Sequence, residues 1–113
     1  MKLTVQERFS LMEILPTQSN FLELRIIAEL RDELALSDDE GERVSLRPMG
    51  DHRMAWNAEA AEAVIKDCTI GKHAYPIIVT VLKQLDKTKK LERAHLSLYE
   101  KFILAKEQET PDG

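Results

Sequence analysis

Apolar residues recur along this chain at two spacings, and the change from one to the other marks out the elements. Val5, Phe9, Met12 and Leu15, with Leu11 beside them, lie three or four residues apart, the spacing of one helical face. The run opens on Thr4-Val5-Gln6-Glu7, a capping box in which Thr4 accepts from the N–H of Glu7 and Glu7 reaches back to the N–H of Thr4. Leu15-Pro16 ends it, because a residue before proline avoids the α region. Asn20-Phe21-Leu22-Glu23 opens a second helix. Leu24, Ile27, Leu30 and Leu34 form its apolar face, and Arg25, Glu29, Asp32 and Glu33 its polar one. A short connection makes the two an antiparallel hairpin.

The spacing then changes. Ser37 caps a short acidic turn, Asp38-Asp39-Glu40, which Gly41 is expected to break. Arg43-Val44-Ser45-Leu46-Arg47 alternates with period two, Pro48-Met49-Gly50-Asp51 reads as a turn, and His52 to Asn57 alternates again. A β-hairpin over about 43–57 is the expectation, with Trp56 packing it onto the helices. Ala58 to Ala63 has high helix propensity. Val64, Lys66, Cys68 and Ile70 alternate with their neighbours, so a short helix running into a third strand accommodates both signals. Helical spacing returns with Ile77, Ile78, Val81, Leu82 and Leu85, Pro76 being tolerable in a first turn. After the basic loop 86–90, a last helix is expected from Leu91 to about Lys106, with Leu96, Tyr99 and Ile103 as its stripe and Leu98 and Phe102 adjoining. The fold predicted is one α+β domain over 1–106: a helical hairpin, a small antiparallel β-hairpin or three-stranded sheet, and a second helical hairpin. A polar tail fills 107–113.

The chain's 113 residues and 13.0 kDa suffice for one independent core. A composition of 43% hydrophobic and 32% charged residues excludes a disordered tail, a collagen-like chain and a disulfide scaffold. The net charge of −4 lowers the prospect of general phosphate binding, which rewards clustered cations. A single cysteine, Cys68, forbids an intrachain disulfide and fits a reducing cytoplasm. No run of about eighteen apolar residues provides a membrane span.

Catalytic chemistry finds little purchase. His52, His73 and His95 lie in three different elements, and none has a His or Cys at ligand spacing. Asp38-Asp39-Glu40 lacks the calcium-loop pattern and reads more simply as a helix start. His95 reads as a partly exposed helix residue. A Cys68–His73 dyad would need a coincidence of folding. There is no Walker loop, no nucleophile elbow and no dinucleotide fingerprint. No catalytic residue, cofactor or metal is therefore expected. The candidates are surfaces. Arg43, Arg47, His52 and Arg53 gather on the hairpin, superficially like the wing of a winged-helix DNA binder. Lys87, Lys89 and Lys90 form a second basic patch. Met49, between Pro48 and Gly50, is an adaptable apolar contact at the hairpin tip.

Leu3-Thr4-Val5-Gln6-Glu7-Arg8, Ile14-Leu15-Pro16, Asn20-Phe21, Trp56-Asn57 and the closing His95 to Phe102 resemble small uncharacterised proteins encoded by tailed bacteriophages and prophages. These are capping and packing motifs, so the resemblance implies a bacterial or phage cytoplasmic origin and carries no site residue. The expected location is the cytoplasm of a bacterial host cell or the virion. The expected function is a non-enzymatic protein-interaction module, a phage accessory or assembly factor working on a protein partner or on itself. A DNA-binding regulator using the basic hairpin is the alternative.

Overall fold

The computed structural model describes residues 1–51 and 53–105 and is an α+β fold. A strand, β1 (Lys2–Thr4), runs directly into helix α1 (Val5–Ile14). Helices α2 (Phe21–Leu34) and α3 (Asp38–Arg43) follow, then the hairpin strands β2 (Arg47–Pro48) and β3 (Met54–Ala55). Next come α4 (Ala58–Glu62), β4 (Ile65–Asp67) and α5 (Ala74–Lys87). The last segment is a 3₁₀ turn (Arg93–His95), a short helix α6 (Leu96–Tyr99) and a π-helical turn (Glu100–Leu104). Among the described residues, no helix is long and apolar enough to cross a membrane.

Both expected capping boxes of the first half are formed or nearly so. Thr4 Oγ1 accepts from the N–H of Glu7 at 3.1 Å, and Glu7 Oε1 accepts from the N–H of Thr4 at 3.0 Å. Asn20 Oδ1 accepts from the N–H of Glu23 at 2.8 Å, without the reciprocal bond. Pro76 lies in the first turn of α5, as its missing N–H requires.

The β structure departs from expectation. Among the described residues there is no three-stranded sheet: β4 pairs antiparallel with β1, Leu3 opposite Lys66, and the hairpin stands as a separate two-stranded sheet. Helix α4 lies between β3 and β4 along the chain and carries β4 away from the hairpin. Leu3, on the inward side of β1, is fully buried. The hairpin is also shorter than 43–57. Gly41 does not break α3, which continues to Arg43. Beyond it, Ser45 turns into the left-handed region at φ 55°, and the N–H of Leu46 bonds the carbonyl of Gly41 at 2.9 Å. That is a Schellman helix end, so the alternating Val44 and Leu46 are helix-end residues that turn inward. Pro48 brings no N–H to the ladder, which helps limit β2 to two residues.

Two apolar clusters result. The larger contains Leu3, Leu11, Leu15, Ile27, Leu30, Leu34, Cys68, Ile78, Leu82, Leu98, Phe102 and Ile103. The smaller contains Val5, Val44, Ala61 and Val64, with Phe9, Leu36, Leu46 and Trp56 packed against it. The last segment differs from one continuous helix beginning at Leu91. Its π-helical turn places Phe102 and Ile103 in the core, whereas Leu96 is exposed. His95 is buried rather than partly exposed, and its Nδ1 accepts the N–H of Glu92 at 3.0 Å. The expected helix end at Lys106 and the tail 107–113 lie outside the described residues.

Candidate functional site

A groove of about 550 Å³ opens between α1 and the hairpin. Its floor is the stacked pair Phe9 and Trp56, with ring centroids 4.8 Å apart and planes 13° from parallel. Phe9 comes from α1, one turn after Val5, which anchors the smaller cluster. Trp56 follows β3 directly, and the adjoining N–H of Asn57 bonds the carbonyl of Val44 at 2.7 Å. The stack thus packs the hairpin on the first helix.

Met12, Met49 and Met54 also line the groove. Met49 and Met54 are 60% and 41% exposed, high for large apolar side chains in a folded chain. The hairpin turn places them: Met49 donates its N–H to the carbonyl of Arg53 at 2.8 Å, while Gly50 at φ 81° and Asp51 at φ 47° reverse the chain. Thioether side chains are flexible and polarisable, so such a surface adapts to varied apolar partners. The charged lining is Arg31 from α2, Arg53 from the hairpin and Glu13 from α1.

The predicted residues are dispersed by the fold. Met49 and Arg53 reach the groove. Arg43 does not belong to the hairpin: it ends α3 and pairs with Asp39 one turn earlier, Nε to Oδ2 at 3.2 Å. Arg47 lies on β2, exposed, its guanidinium directed to the carbonyl of Ser45 at 3.4 Å. His52 lies outside the described residues. Lys87, Lys89 and Lys90 are exposed at the end of α5. Lys89 adopts φ 59° and Lys90 donates its N–H to the carbonyl of Leu85 at 2.8 Å, a second Schellman end.

Sequence reasoning missed Arg31, Phe9 and Met12 as groove residues. Arg31 looks like the polar side of α2, and Phe9 and Met12 look like core. The signal that could have found them is the Phe9–Trp56 pairing, because a tryptophan after a short hairpin must cover some helix surface.

Away from the groove, buried ionic contacts tie α1 to the end of α2, to α3 and to the last segment. Arg8 on α1 is completely buried. Its Nε donates to the carbonyl of Leu34 at 2.8 Å and its Nη2 to that of Ala35 at 2.6 Å. Nη1 and Nη2 each reach a carboxylate oxygen of Glu40 at 3.0 Å. Arg8 therefore caps the C-terminus of α2 and clamps α3 against α1. Glu40 also accepts the N–H of Ser37 in the α3 capping box. The Arg8 guanidinium, helped by the Ser37 N–H and opposed by burial, holds the Glu40 carboxyl at about 2. Lys101 bonds Glu7 at 2.7 Å and the carbonyl of Lys2 at 2.8 Å. Burial opposes ionisation of Glu7, but the bonds from Lys101 and the Thr4 N–H keep its carboxyl below the usual range.

Cys68 lies in the larger cluster, and burial pushes its thiol up. That environment disfavours the thiolate on which cysteine nucleophilicity depends. Among the described residues, no group of three or more His, Cys, Asp and Glu side chains is placed to hold a metal ion.

Comparison with protein-family models, curated proteins and solved structures finds no match to this chain.

Proposed function

We propose that this protein is a non-enzymatic protein-interaction module, and that the groove between α1 and the hairpin is its docking surface. The observation that carries this reading is the grouping of Met49 and Met54, both exposed, over a Phe9–Trp56 floor. Aromatic and methionine side chains are the residues that interface cores favour. In keeping with the sequence resemblance, the setting proposed is a tailed phage or prophage, and the role that of an accessory or assembly factor.

The test is affinity capture from expressing or infected cells with the full chain and with a Met49→Ser/Met54→Ser variant. The expected result is a stoichiometric partner, or a second copy, that the variant loses. Equal recovery by both proteins, or no stoichiometric partner for either, overturns the reading.

DNA binding through the hairpin has narrower support. Arg47 and Arg53 remain exposed there, but Arg43 belongs to α3 and is paired to a carboxylate. The six-residue helix before the hairpin carries Asp38, Asp39, Glu40 and Glu42, which phosphates would repel. An Arg47→Ala/Arg53→Ala variant separates the readings: DNA retention at low salt, lost in this variant, favours the regulator.

A further inference from the structure

The charges around the groove do not follow the charge of the molecule. The chain is at −4, yet the groove is lined by two arginines, Arg31 and Arg53, against one acidic residue, Glu13. Arg8, Arg43, Lys66 and Lys101 each have a carboxylate oxygen within 3.7 Å. Arg31 and Arg53 have neither an ion pair nor a side-chain hydrogen bond among the described residues. Arg31 is half-buried in the last turn of α2. The helix dipole favours a cation there, but the donors of a planar guanidinium still call for an acceptor in fork geometry.

We infer that the groove takes a short acidic peptide segment of a partner protein, with an apolar side chain on the Phe9–Trp56 floor and carboxylates on Arg31 and Arg53. This rests on the interaction reading above and names the chemistry of its partner. The floor supplies contact area and the methionines adapt to the anchoring side chain. The two arginines select the flanking charge. Glu13 on the same lining disfavours a polyanion such as nucleic acid and limits the favoured occupant to a modest negative charge.

The chain contains one tryptophan, Trp56, so its fluorescence reports on the groove floor. A displayed random dodecapeptide library is panned against the full chain, and enriched peptides are titrated while Trp56 emission is followed. Peptides pairing a bulky apolar residue with Asp or Glu are expected. Arg31→Glu or Arg53→Glu should weaken them by about tenfold or more, the scale of a lost charge-assisted bond. Arg53→Gln, on the exposed hairpin, keeps the test valid if Arg31→Glu fails to fold by circular dichroism. Enrichment of neutral or basic peptides, no enrichment, or affinities indifferent to both arginines overturns the inference. So does self-association that Met54→Ser abolishes. A cellular partner lost by Met49→Ser/Met54→Ser but kept by Arg31→Glu/Arg53→Glu removes the acidic occupant and leaves the interaction function standing. Absence of any stoichiometric partner for the unaltered full chain in capture removes both.

Discussion

Arg8 is a charged residue between the apolar positions Val5 and Phe9 of α1, and it is completely buried. The helix is enclosed on more than its apolar side: Glu7 and Ser10 are buried too. A period of apolar residues marks the side that seeks the core. It is silent about a polar side covered by later elements, here the α2–α3 corner and the last segment. Replacing Arg8 by methionine keeps much of the volume but strands Glu40 and the carbonyls of Leu34 and Ala35. We expect a loss of about 3–5 kcal/mol in urea unfolding; a loss below about 1 kcal/mol would show that water replaces the clamp. Glu40 gives the complementary test in pH. Its folded carboxyl titrates at about 2, below the ordinary 4.5. A depressed carboxylate stabilises the fold above the unfolded value and loses that contribution as pH falls toward the folded value. Wild-type stability should therefore decline from about pH 4.5 toward pH 2. Glu40→Gln should be less stable at neutral pH and show a shallower acid slope. An unchanged slope would assign the acid sensitivity elsewhere.

At the level of elements, the helix starts of the first half were more legible than the helix ends, whereas α5 starts at Ala74 behind His73, which makes no side-chain cap bond. Thr4, Asn20 and Ser37 announce themselves by residue type, and each makes its bond to the third helical N–H. The Schellman ends at Ser45 and Lys89 were hidden because neither carries the glycine that marks a left-handed position. Without that mark, Val44 and Leu46 read as alternate positions of a strand. The two sites predict an improvement. Lys89→Gly should raise stability by about 0.5–1 kcal/mol, as relief of the left-handed strain exceeds the added chain entropy. A thermal melt that moves down would instead show that the lysine stem contributes packing. Strand β1 was missed because its three residues precede a helix without a turn and its partner lies beyond residue 60. No local pattern reports such a pairing.

On the scale of the molecule, α1 is shared. Leu11, with Leu15 just past its end, belongs to the larger cluster, whereas Val5 and Phe9 serve the smaller one beneath the hairpin. The smaller cluster has less buried apolar surface behind it, so the hairpin should open without global unfolding. In native-state hydrogen exchange, the bonded amides of Met49 and Arg53 should exchange by a lower-energy opening than those within α1. Equal opening energies would show the two clusters to be one cooperative unit. The candidate groove was half legible for the same reason. Met49 and Arg53 stand out on the predicted hairpin, while their opposing wall comes from α1 and α2, and only the closed fold brings the two sides together.

Pairing between β1 and β4 also bears on the order in which the chain is made. Leu3 cannot be covered by its partner strand until Lys66 has been synthesised, and Lys101 reaches Lys2 and Glu7 later still. At roughly 5–20 residues per second, the first strand waits on the order of seconds for its neighbour. During that interval the nascent helical hairpin carries an unpaired strand edge and an uncovered leucine, and this is the stage at which a chaperone or a second nascent chain would find it.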